Sequence, residues 1–529
     1  PAGTRALWNE PQRHADRTAG SFGGVRMAFG ADIKELVQSN ANGLIGAHET
    51  WERVRVGEIA GLKNGFPFKS NGFNESDGTP LLRIRDVLKG VPGTRYRGMV
   101  DDPAMTFVED GEIVVGMDGD FNSRLWRGGK ALLNQRVCSL LADERFYSQK
   151  FLSYVLPGYL KLVHEHTSSV TVKHLSSLTV LDIPLPLPPR SEQERIVEKI
   201  DTLFARLDKG EEVLRAIQKL LARYRQSVLK AAVTGELTAD WRAENAHRLE
   251  DGRDLLEHIL KTRRENWSGR GKYKEPVAPD TAGLPELPEG WVWASPEQLS
   301  SPAPNSLCIG PFGSNLKVDD YREEGVPLVF VRHIRAKNFS GLSPKFVSRE
   351  KAQELRSHKV DPGDILITKM GEPPGDVCIY PFSAEAAVIT ADCIKMSPPK
   401  VGVSVGYLEL ALSSDVVQSQ IRKISKGVAQ QKVNLANFKR IAIPLPPLPL
   451  QEMIEHSVAE RLSKLAVLEE WCDTEVDRSS ALRQSILKNA FSGRLVDQDP
   501  SDEPASELLA RVKAAQTTAK KTKRGKAPA

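Results

Sequence analysis

The sequence predicts an α+β fold with an internal pseudo-repeat: two mixed α/β domains and two long helices that pair as a coiled coil. Three observations predict it. Residues 183–237 join a proline-rich segment to roughly forty proline-free residues whose apolar positions step alternately by four and three. The same pattern returns at 441–495, with a constant offset of 258. Short β-type runs separated by turn residues fill 48–182 and 289–440.

Composition narrows the class of protein. Of the 529 residues, 40% are hydrophobic and 27% charged, and the formal net charge is +5. Length alone suggests about three or four domains, which the repeat reduces to two domains and two helices. No apolar run is long enough for a membrane span, and no N-terminal segment predicts secretion. The five cysteines lack CxxC spacing, so we expect neither disulfides nor structural zinc, and a cytoplasmic location.

The chain begins with a predicted N-terminal extension, residues 1–47, which is rich in Gly, Ala and Arg. Its sequence leaves open whether residues 1–26, before Met27, belong to the natural protein. The first mixed domain, 48–182, opens at Trp51. Its β-type runs and the amphipathic stretch that follows them occupy 54–59, 79–87, 112–116, 136–141 and 146–163.

The central long helix is predicted within 183–237. Prolines precede it, Ser191 with Glu194 three residues later forms a capping box, and Gly235 ends it. Gly210 interrupts the apolar seam, at a cost of about 1 kcal/mol relative to Ala. The seam predicts that this copy packs against its partner helix through Ile196, Ile200, Leu203, Leu207, Leu214, Ile217, Leu221, Tyr224 and Val228.

A short helix and a Gly/Pro/Lys-rich linker are predicted for 238–288, and the second domain for 289–440. The offset between matching landmarks drifts from 240 to 258, so loops changed length on a constant scaffold. The landmarks are PFKSN (67–71) with PFGSN (311–315), TPLLRIR (79–85) with VPLVFVR (326–332), and DGEIVVG (110–116) with PGDILIT (362–368).

The distal long helix, within 441–495, is a flawed copy of the central one. Leu450 stands where the central copy has Glu192, which predicts weaker capping. Polar residues such as Arg461 occupy heptad positions, and a neighbouring register through Leu462 and Val476 partly repairs the seam. The predicted packing residues of this copy are Ile454, Val458, Leu465, Leu468, Leu482 and Ile486.

Residues 496–529 are predicted to form a short helix, Ser506 to Lys513, and a basic disordered tail. The tail carries several closely spaced cations, which would either add salt-sensitive, non-specific affinity for DNA or serve as a solubilising terminus. These cations are Lys520, Lys521, Lys523, Arg524 and Lys526.

Four segments together resemble one known family. They are PLPPRSEQERI, RQSVLKAAVTGEL, RQSILKNAFSGRL and LPELPEGWVW, which are long and stand at matching places in the two halves. Their order along the chain resembles the specificity subunit of Type I restriction-modification systems, and the resemblance covers about 48 to 515.

The resemblance implies a function and a set of partners. The two domains would be target recognition domains, each reading one part of a bipartite, asymmetric sequence in double-stranded DNA. The two helices would pack antiparallel as a spacer and hold two methyltransferase subunits, with restriction/translocase subunits joining them. This chain would perform no catalysis and bind no cofactor, while AdoMet, ATP and Mg would lie on partner subunits. A helix of about forty residues is roughly 60 Å long, so its length would set the spacing of the two half-sites.

Base reading and phosphate binding require polar and cationic side chains on loops. In the first domain the candidates are Asn64, Lys69, Ser70, Arg83, Arg85, Arg124, Arg127, Lys130, Lys173 and His174. In the second domain they are Ser314, Asn315, Lys317, Arg332, Arg335, Lys369, Gln430, Gln431 and Lys432. The polar run KGVAQQK at 426–432, just before the distal helix, is the most favoured of these segments.

No pattern in the sequence supports catalysis or a metal site. HEH at 164–166 lacks a third ligand at a metal-binding spacing, and Asp118 with Asp120 lacks the repeated ligands of an EF-hand loop. Neither a P-loop nor a GxGxxG motif occurs. Two alternatives stay open: a self-contained DNA-modifying enzyme with an unrecognised active site, and a coiled-coil scaffold without DNA binding.

Overall fold

The computed structural model describes residues 45–46, 48–167, 173–245, 250–269, 271–339, 344–425 and 431–524, with side chains up to residue 518. The chain divides into two compact units. One comprises Pro1–Glu212 with Val476–Ala529, and the other comprises Val213–Glu475. Each unit therefore contains one α/β domain together with part of both long helices.

The first domain consists of short strands and a few helices. Its strands are β1 (Glu52–Arg55), β2 (Ala60–Asn64), β3 (Phe73–Asn74), β4 (Thr79–Leu82), β5 (Thr94–Tyr96), β6 (Phe107–Val108), β7 (Ile113–Gly116), β8 (Ser123–Leu125), β9 (Ala131–Leu133), β10 (Val137–Ala142) and β11 (Pro184–Leu187). Its helices are α1 (Val56–Ile59), α2 (Gln149–His166) and α3 (Ser177–Asp182), with 3-10 turns at Ser70–Gly72 and Ile84–Asp86.

Besides the two-stranded pair of β1 and β11, this domain contains two larger sheets. One is antiparallel, with strand order β2-β10-β7-β8. The other has the order β3-β5-β4-β9-β6, in which β4 and β9 run parallel. The Ser148 hydroxyl caps α2 by accepting a hydrogen bond from the backbone N–H of Phe151 at 3.4 Å. The apolar face of α2 then joins the main core of the first unit.

The central helix and the second domain follow. The further helices are α4 (Arg190–Val233, the central helix), α5 (Ala239–Asn245), α6 (Gly252–Glu265), α7 (Val331–Ala336), α8 (Arg349–Glu354), α9 (Val405–Ser413), α10 (Asp415–Ile424), α11 (Leu435–Phe438), α12 (Leu448–Phe491, the distal helix) and α13 (Ala505–Arg524). The strands are β12 (Val292–Ala294), β13 (Leu307–Ile309), β14 (Val326–Val329), β15 (Phe346–Val347), β16 (Lys359–Val360), β17 (Ile365–Thr368), β18 (Met370–Gly371), β19 (Val377–Ile379), β20 (Ala387–Ile389), β21 (Cys393–Met396), β22 (Gln431–Lys432) and β23 (Ile443–Leu445).

The second domain repeats the topology of the first. An antiparallel sheet has the order β13-β21-β17-β19, and a second sheet has the order β15-β14-β20-β16 with β14 and β20 parallel. The pairing of β12 with β23 repeats that of β1 with β11, joining the start of each domain to the segment before a long helix. The predicted internal pseudo-repeat of two mixed α/β domains is therefore confirmed.

The two long helices contact each other within each unit. In the first unit Arg483 pairs with Asp208 at 2.7 Å and with Glu211 at 3.0 Å, and the Ser479 hydroxyl donates to Glu211 at 2.6 Å. In the second unit Arg225 pairs with Glu469 at 2.7 Å, and the Gln218 amide donates to Asp473 at 2.8 Å. Because partner numbers fall on one helix as they rise on the other, the segments run antiparallel within each unit.

The buried stripe departs from the strict heptad prediction. Ile196, Ile200 and Val228 are buried, as a seam requires, whereas Tyr224 stays 47% exposed and its neighbour Arg225 makes the interhelix ion pair. Ala232 is buried in preference to Ala231. The stripe follows 3.6 residues per turn, so it drifts by one position from a repeat of 3.5 by the end of the helix.

The distal helix shows the same correction. Leu468 and Leu482, predicted as packing residues, stay 48% and 45% exposed. Leu462 and Val476 are partly buried while Arg461 is exposed, so the helix uses the neighbouring register. Leu465 remains in the buried stripe.

The start of the central helix differs from the predicted capping box. The central helix begins at Arg190, so Ser191 lies inside it and does not cap it; its hydroxyl donates to Asp502 at 2.5 Å. Glu194 pairs with Arg190 at 2.9 Å and does not complete a capping box. A tertiary partner and an ion pair within the first turn therefore replace the predicted local cap.

The chain termini pack more closely onto the first domain than the sequence predicts. Ile45, inside the predicted N-terminal extension, is buried in the main core of the first unit. Helix α13 continues to Arg524, beyond the predicted end at Lys513, and buries Leu508 and Val512 in the same core. The side chains of the tail cations, and all of Lys526, lie outside the described residues. Among the described helices, none combines the length and the apolar character that a bilayer crossing requires.

Candidate nucleic-acid interface

One edge of the antiparallel sheet in the first domain gathers predicted DNA-binding residues. Asn64 ends β2 at this edge, where β7 also ends and β10 begins. The segment that leads into α3 folds back against the residues after β7. Leu175 N–H donates to the Met117 carbonyl at 2.7 Å, and Gly119 N–H donates to the Lys173 carbonyl at 3.1 Å. Lys173 and Asn64, distant in sequence, therefore belong to one edge.

Polar side chains at this edge bond to each other. His174 Nδ1 lies 2.7 Å from Asp118 Oδ1, and the other oxygen of that carboxylate pairs with Arg136 Nε at 3.2 Å. The Ser177 hydroxyl donates to Asn64 Oδ1 at 2.5 Å. We did not predict Ser177 as a site residue, and no local pattern marks it, because its partner is 113 residues away. These contacts hold donors and acceptors at fixed positions on an exposed edge.

The equivalent edge of the second domain gathers Lys369, Gln431 and Lys432. Val433 N–H donates to the Lys369 carbonyl at 2.9 Å, and β22 pairs with β18 so that Lys432 lies opposite Met370. Lys369 Nζ donates to the Ala391 carbonyl at 3.1 Å. Gln430, also predicted, lies outside the described residues. Three of the residues favoured by the sequence are thus brought together.

The two edges share a backbone frame and differ in side chains. Asp118 pairs with His174 in a single bridge, and Met370 pairs with Lys432 in the equivalent bridge. The residue whose carbonyl accepts from the backbone after the central strand is Arg136 in the first domain and Asp392 in the second. The same positions therefore present different charges and hydrogen-bonding groups.

A loop leaves each edge directly after the first strand of the sheet. Gly65 N–H donates to the Val137 carbonyl and Gly310 N–H to the Cys393 carbonyl, both at 3.1 Å. A Cβ at either glycine would lie 2.0 Å from a carbonyl oxygen, so only glycine fits this close approach of two backbones. These loops carry the exposed candidates Lys69, Ser70, Ser314, Asn315 and Lys317.

One carboxylate borders the second loop. The backbone N–H of Lys317 donates to Asp320 Oδ2 at 2.7 Å, and this bond lowers the pKa of the Asp320 carboxyl. Asp320 also lies 3.7 Å from Lys351. The carboxylate is therefore held in place by the loop backbone and by a neighbouring cation.

Most of the other predicted cations bond to neighbours within their own domain. Arg83 lies 5.1 Å from the Phe73 ring, Lys130 lies 4.8 Å from the Phe107 ring, and Arg85 donates to Thr94 at 2.9 Å. Arg124 donates to the Leu88 carbonyl. Arg127 is exposed. Arg83, Arg85 and Lys130 lie beside the strands of the second sheet, whereas Arg124 lies in β8, the outer strand of the antiparallel sheet, and Arg127 follows it.

The two arginines of the second domain that were predicted to bind DNA also contact neighbouring residues. Arg332 lies over the Phe330 ring at 4.2 Å, and Arg335 pairs with Asp376 at 2.8 Å. Arg335 and Asp376 line a cleft of about 860 Å³ in the second unit. Lys337 and Glu409 form another ion pair in its wall, at 2.5 Å. The charges of these two wall pairs therefore neutralise each other.

Neither a metal cluster nor a reactive thiol appears within the described ranges. His164 packs against Phe121 at 5.3 Å between ring centroids, and the His166 ring lies 3.0 Å from the Leu162 carbonyl. Across the described part of the chain, no three His, Cys, Asp or Glu side chains are grouped to hold a metal ion. Burial raises the pKa of Cys378 and Cys393 to about 12, so both thiols stay protonated at neutral pH.

Sequence comparisons with known proteins match most of the chain. The family model described as the Type I restriction modification DNA specificity domain matches residues 48–217 and 334–466. The chain is 35% identical over 497 residues to the Type I restriction enzyme EcoBI specificity subunit of Escherichia coli, covering 92% of this chain and 97% of that protein. It is 23% identical over 485 residues to the EcoDI specificity subunit of Escherichia coli, covering 88% and 95%.

A solved structure supports the fold. A chain from a structure described as concerning complex assembly and conformational transition of the type I R-M system superposes with a TM-score of 0.54. The two chains are 17% identical, and the match covers 84% of this chain and 98% of that chain. At this identity the likeness extends to the fold alone.

Proposed function

Since the chain belongs to the Type I restriction-modification DNA specificity family, we propose that it reads the DNA target of such a system. Each of its two domains would bind one half of a bipartite, asymmetric sequence in double-stranded DNA. The chain itself would perform no catalysis. It would select the sites at which partner subunits methylate or cleave.

The repeated edge with unlike side chains is the observation that carries this proposal. At equivalent positions the first domain presents His174 and Arg136, where the second presents Lys432 and Asp392. The second domain adds Lys369 at the same edge. Base edges in the major groove differ in their donors and acceptors, so different polar groups at equivalent positions select different bases. Two unlike edges on a common frame suit a target whose two halves differ in sequence.

We further propose that the two long helices form an antiparallel coiled-coil spacer. Support comes from the ion pair between Arg225 and Glu469 in the second unit and from the contacts of Arg483 with Asp208 and Glu211 in the first. Each helix has 44 residues and is therefore about 66 Å long. On this proposal, helix length sets the number of unread base pairs between the half-sites.

Exposed apolar side chains on these helices support a role in assembly. Leu220, Tyr224, Val467, Leu468 and Trp471 are each about half exposed or more, although a helix facing only water would carry polar residues there. We propose that two methyltransferase subunits cover this surface and that restriction/translocase subunits join the complex. AdoMet, ATP and Mg would be bound by those partners, and the complex would act on DNA in the cytoplasm.

The test is to express the chain with a Type I modification subunit of its host and to map methylated adenines across the genome. We expect one bipartite motif. In the double variant Lys369→Ala/Lys432→Ala, methylation of that motif in a purified complex should fall about tenfold or more, because two DNA contacts are removed. Lys400→Ala is the matched control, since Lys400 is exposed but lies beyond the opposite end of the same sheet.

The same experiment separates the alternatives. Methylation by the purified chain without any partner would favour a self-contained enzyme. A complex that assembles but fails to bind any DNA would favour a coiled-coil scaffold. A double variant that methylates as well as the Lys400→Ala control would contradict the assignment of this edge to DNA.

A further inference from the structure

Phe312 is exposed where its counterpart in the first domain is buried. The motifs PFKSN and PFGSN place Phe68 and Phe312 at equivalent positions, yet Phe68 is 8% exposed and Phe312 is 70% exposed. The Phe68 ring packs at 5.1 Å from Phe66 and 4.8 Å from Tyr96. Among the described residues, no aromatic ring packs against Phe312. The second domain therefore forgoes the hydrophobic stabilisation that the first obtains from this position.

The loop that carries Phe312 starts at the candidate DNA-binding edge. Gly310 is fixed there by its hydrogen bond to the Cys393 carbonyl, and Phe312 follows two residues later. The Asn315 N–H donates to the Phe312 carbonyl at 2.8 Å, which closes a tight turn. Phe312 is thus carried by a short backbone turn close to the residues proposed to bind DNA.

The surroundings of this turn are polar and contain several cations. Ser314, Asn315 and Lys317 are exposed on the same loop, and Lys369 and Lys432 lie at the edge from which it starts. Acidic groups are present as well, namely Asp392 at the edge and Asp319 and Asp320 after Lys317. Val318, further along the loop, is also exposed, at 76%, but Phe312 is the aromatic side chain of the turn. A large aromatic ring among cations and amide groups suits a nucleobase in a groove, because a base offers an apolar face or a methyl group beside charged phosphates.

We propose that Phe312 is the residue through which the second domain makes apolar contact with a base of its half-site. This inference rests on the proposed function and adds a specificity-determining residue to it. Phe68 cannot take this role in the first domain, because its ring is enclosed by Phe66 and Tyr96. The two domains would therefore differ in apolar as well as polar recognition.

The structure offers a matched control for the test. Phe382 belongs to the same domain and is 72% exposed. It lies beside Gly363, which precedes β17, whereas Lys369 follows that strand. Phe382 is therefore at the opposite end of the sheet, and Phe382→Ala removes an equally exposed ring away from the candidate edge.

The experiment uses the full chain assembled with modification subunits and measures dissociation constants for a duplex carrying the mapped motif and for an unrelated duplex. Phe312→Ala should weaken binding to the motif by about 5- to 50-fold, the range expected for loss of one base contact. Binding to the unrelated duplex and the retention of modification subunits should stay unchanged. Genome-wide methylation should relax at one position of the motif. Phe382→Ala should remain within about twofold of the unchanged protein in each measurement.

Two results would overturn the inference. One is that Phe312→Ala and Phe382→Ala bind the motif equally while Lys369→Ala/Lys432→Ala binds it poorly, which would leave the proposed function intact. The other is that Phe312→Ala releases modification subunits, which would assign the ring to a protein contact. If the unchanged complex shows no sequence preference at all, the proposed function itself fails, and that result is distinguishable from both.

Discussion

At the residue scale, the indole N–H groups of the two tryptophans that open the domains differ in their hydrogen bonding. The Trp51 indole N–H donates to Glu192 Oε2 at 3.0 Å, and both side chains are buried. The equivalent acceptor position in the second unit holds Leu450, and the buried Trp291 Nε1 finds no hydrogen-bond partner among the described residues. Leaving a buried donor unsatisfied costs about 1–3 kcal/mol. The second copy therefore carries a local defect that the first lacks.

The same substitution should consequently have unequal effects at the two sites. Trp51→Phe removes the donor and leaves the buried Glu192 carboxylate poorly satisfied, so we expect a loss of about 1–3 kcal/mol in the free energy of unfolding. Trp291→Phe removes an unsatisfied N–H and should change stability by less than about 1.5 kcal/mol. Urea unfolding measures both, and hydrogen exchange assigns the change to a unit. Equal losses for the two variants would contradict this account.

The sequence shows that Leu450 stands where the first repeat has Glu192, but it does not show which contact is lost. We predicted weaker helix capping, because glutamate near a helix start is normally a local feature. The carboxylate instead reaches Trp51, 141 residues away, and also accepts from the Gln498 amide. Gln193 and Gln451 are alike in sequence and in role, since each accepts from the backbone N–H of a serine at 2.8 Å. Such tertiary partners cannot be predicted from one sequence.

At the element scale, the segment after the distal helix is tied to the start of the central helix. Asp502 pairs with Arg195 at 2.7 Å and accepts from the Ser191 hydroxyl. The hydrogen bond from Arg195 lowers the pKa of the Asp502 carboxyl below its ordinary value of 3.8. The charged form is therefore the one that stabilises the fold.

This pair should make a pH-dependent contribution. A carboxyl whose folded pKa is lowered contributes stability above its ordinary value, and that contribution is lost as pH falls through the folded pKa. We expect Asp502→Asn to lower the free energy of unfolding by about 0.5–1 kcal/mol at pH 6, because the pair is partly exposed to solvent. The difference from the unchanged chain should shrink below pH 3.8.

Urea unfolding at several pH values gives the profile. Asp497→Asn is the control, since Asp497 is exposed and lies in the same segment, five residues before Asp502. It accounts for the loss of one negative charge without the contact to Arg195. An effect of Asp502→Asn that stays constant from pH 6 to pH 3 would mean that the side chain stabilises the segment by packing, independently of its charge.

The elements were predictable to different degrees. Both long helices lie inside their predicted segments, because proline punctuation and a regular apolar period are local signals. Helix α13 is longer than the sequence predicts. The segment after Lys513, predicted to be disordered, continues the helix, because its Lys, Ala and Gln residues have high helix propensity and Leu508 anchors the helix in a core. Composition alone does not reveal such an anchor.

At the scale of the whole molecule, the duplicated architecture was visible in the sequence, whereas the candidate site was visible only in pieces. Lys369 and Lys432 are far apart in the chain and meet because β22 pairs with β18. Lys173 and His174 meet Asp118 through the equivalent bridge in the first domain. The sequence indicated suitable residue types, and strand pairing decides which of them share an edge. Arg83, Arg85 and Lys130 are equally cationic but bond elsewhere.

The proposed spacer leads to a prediction for the complete protein. The two units divide after Glu212 in the central helix and after Glu475 in the distal helix. Four residues inserted at both points should lengthen each helix by about 6 Å, or about two base pairs at 3.4 Å per pair. With modification subunits present, the methylated motif should keep both half-sites and gain about two unread base pairs between them.

Four residues inserted into the linker at 271–283 should leave the motif unchanged, because that segment is outside both long helices. Insertions in both helices that preserve assembly and methylation but leave the gap unaltered would show that helix length does not set the spacing. Altered half-site sequences would instead show that the insertions disturb the reading edges, and the two cases are separated by reading the motif itself.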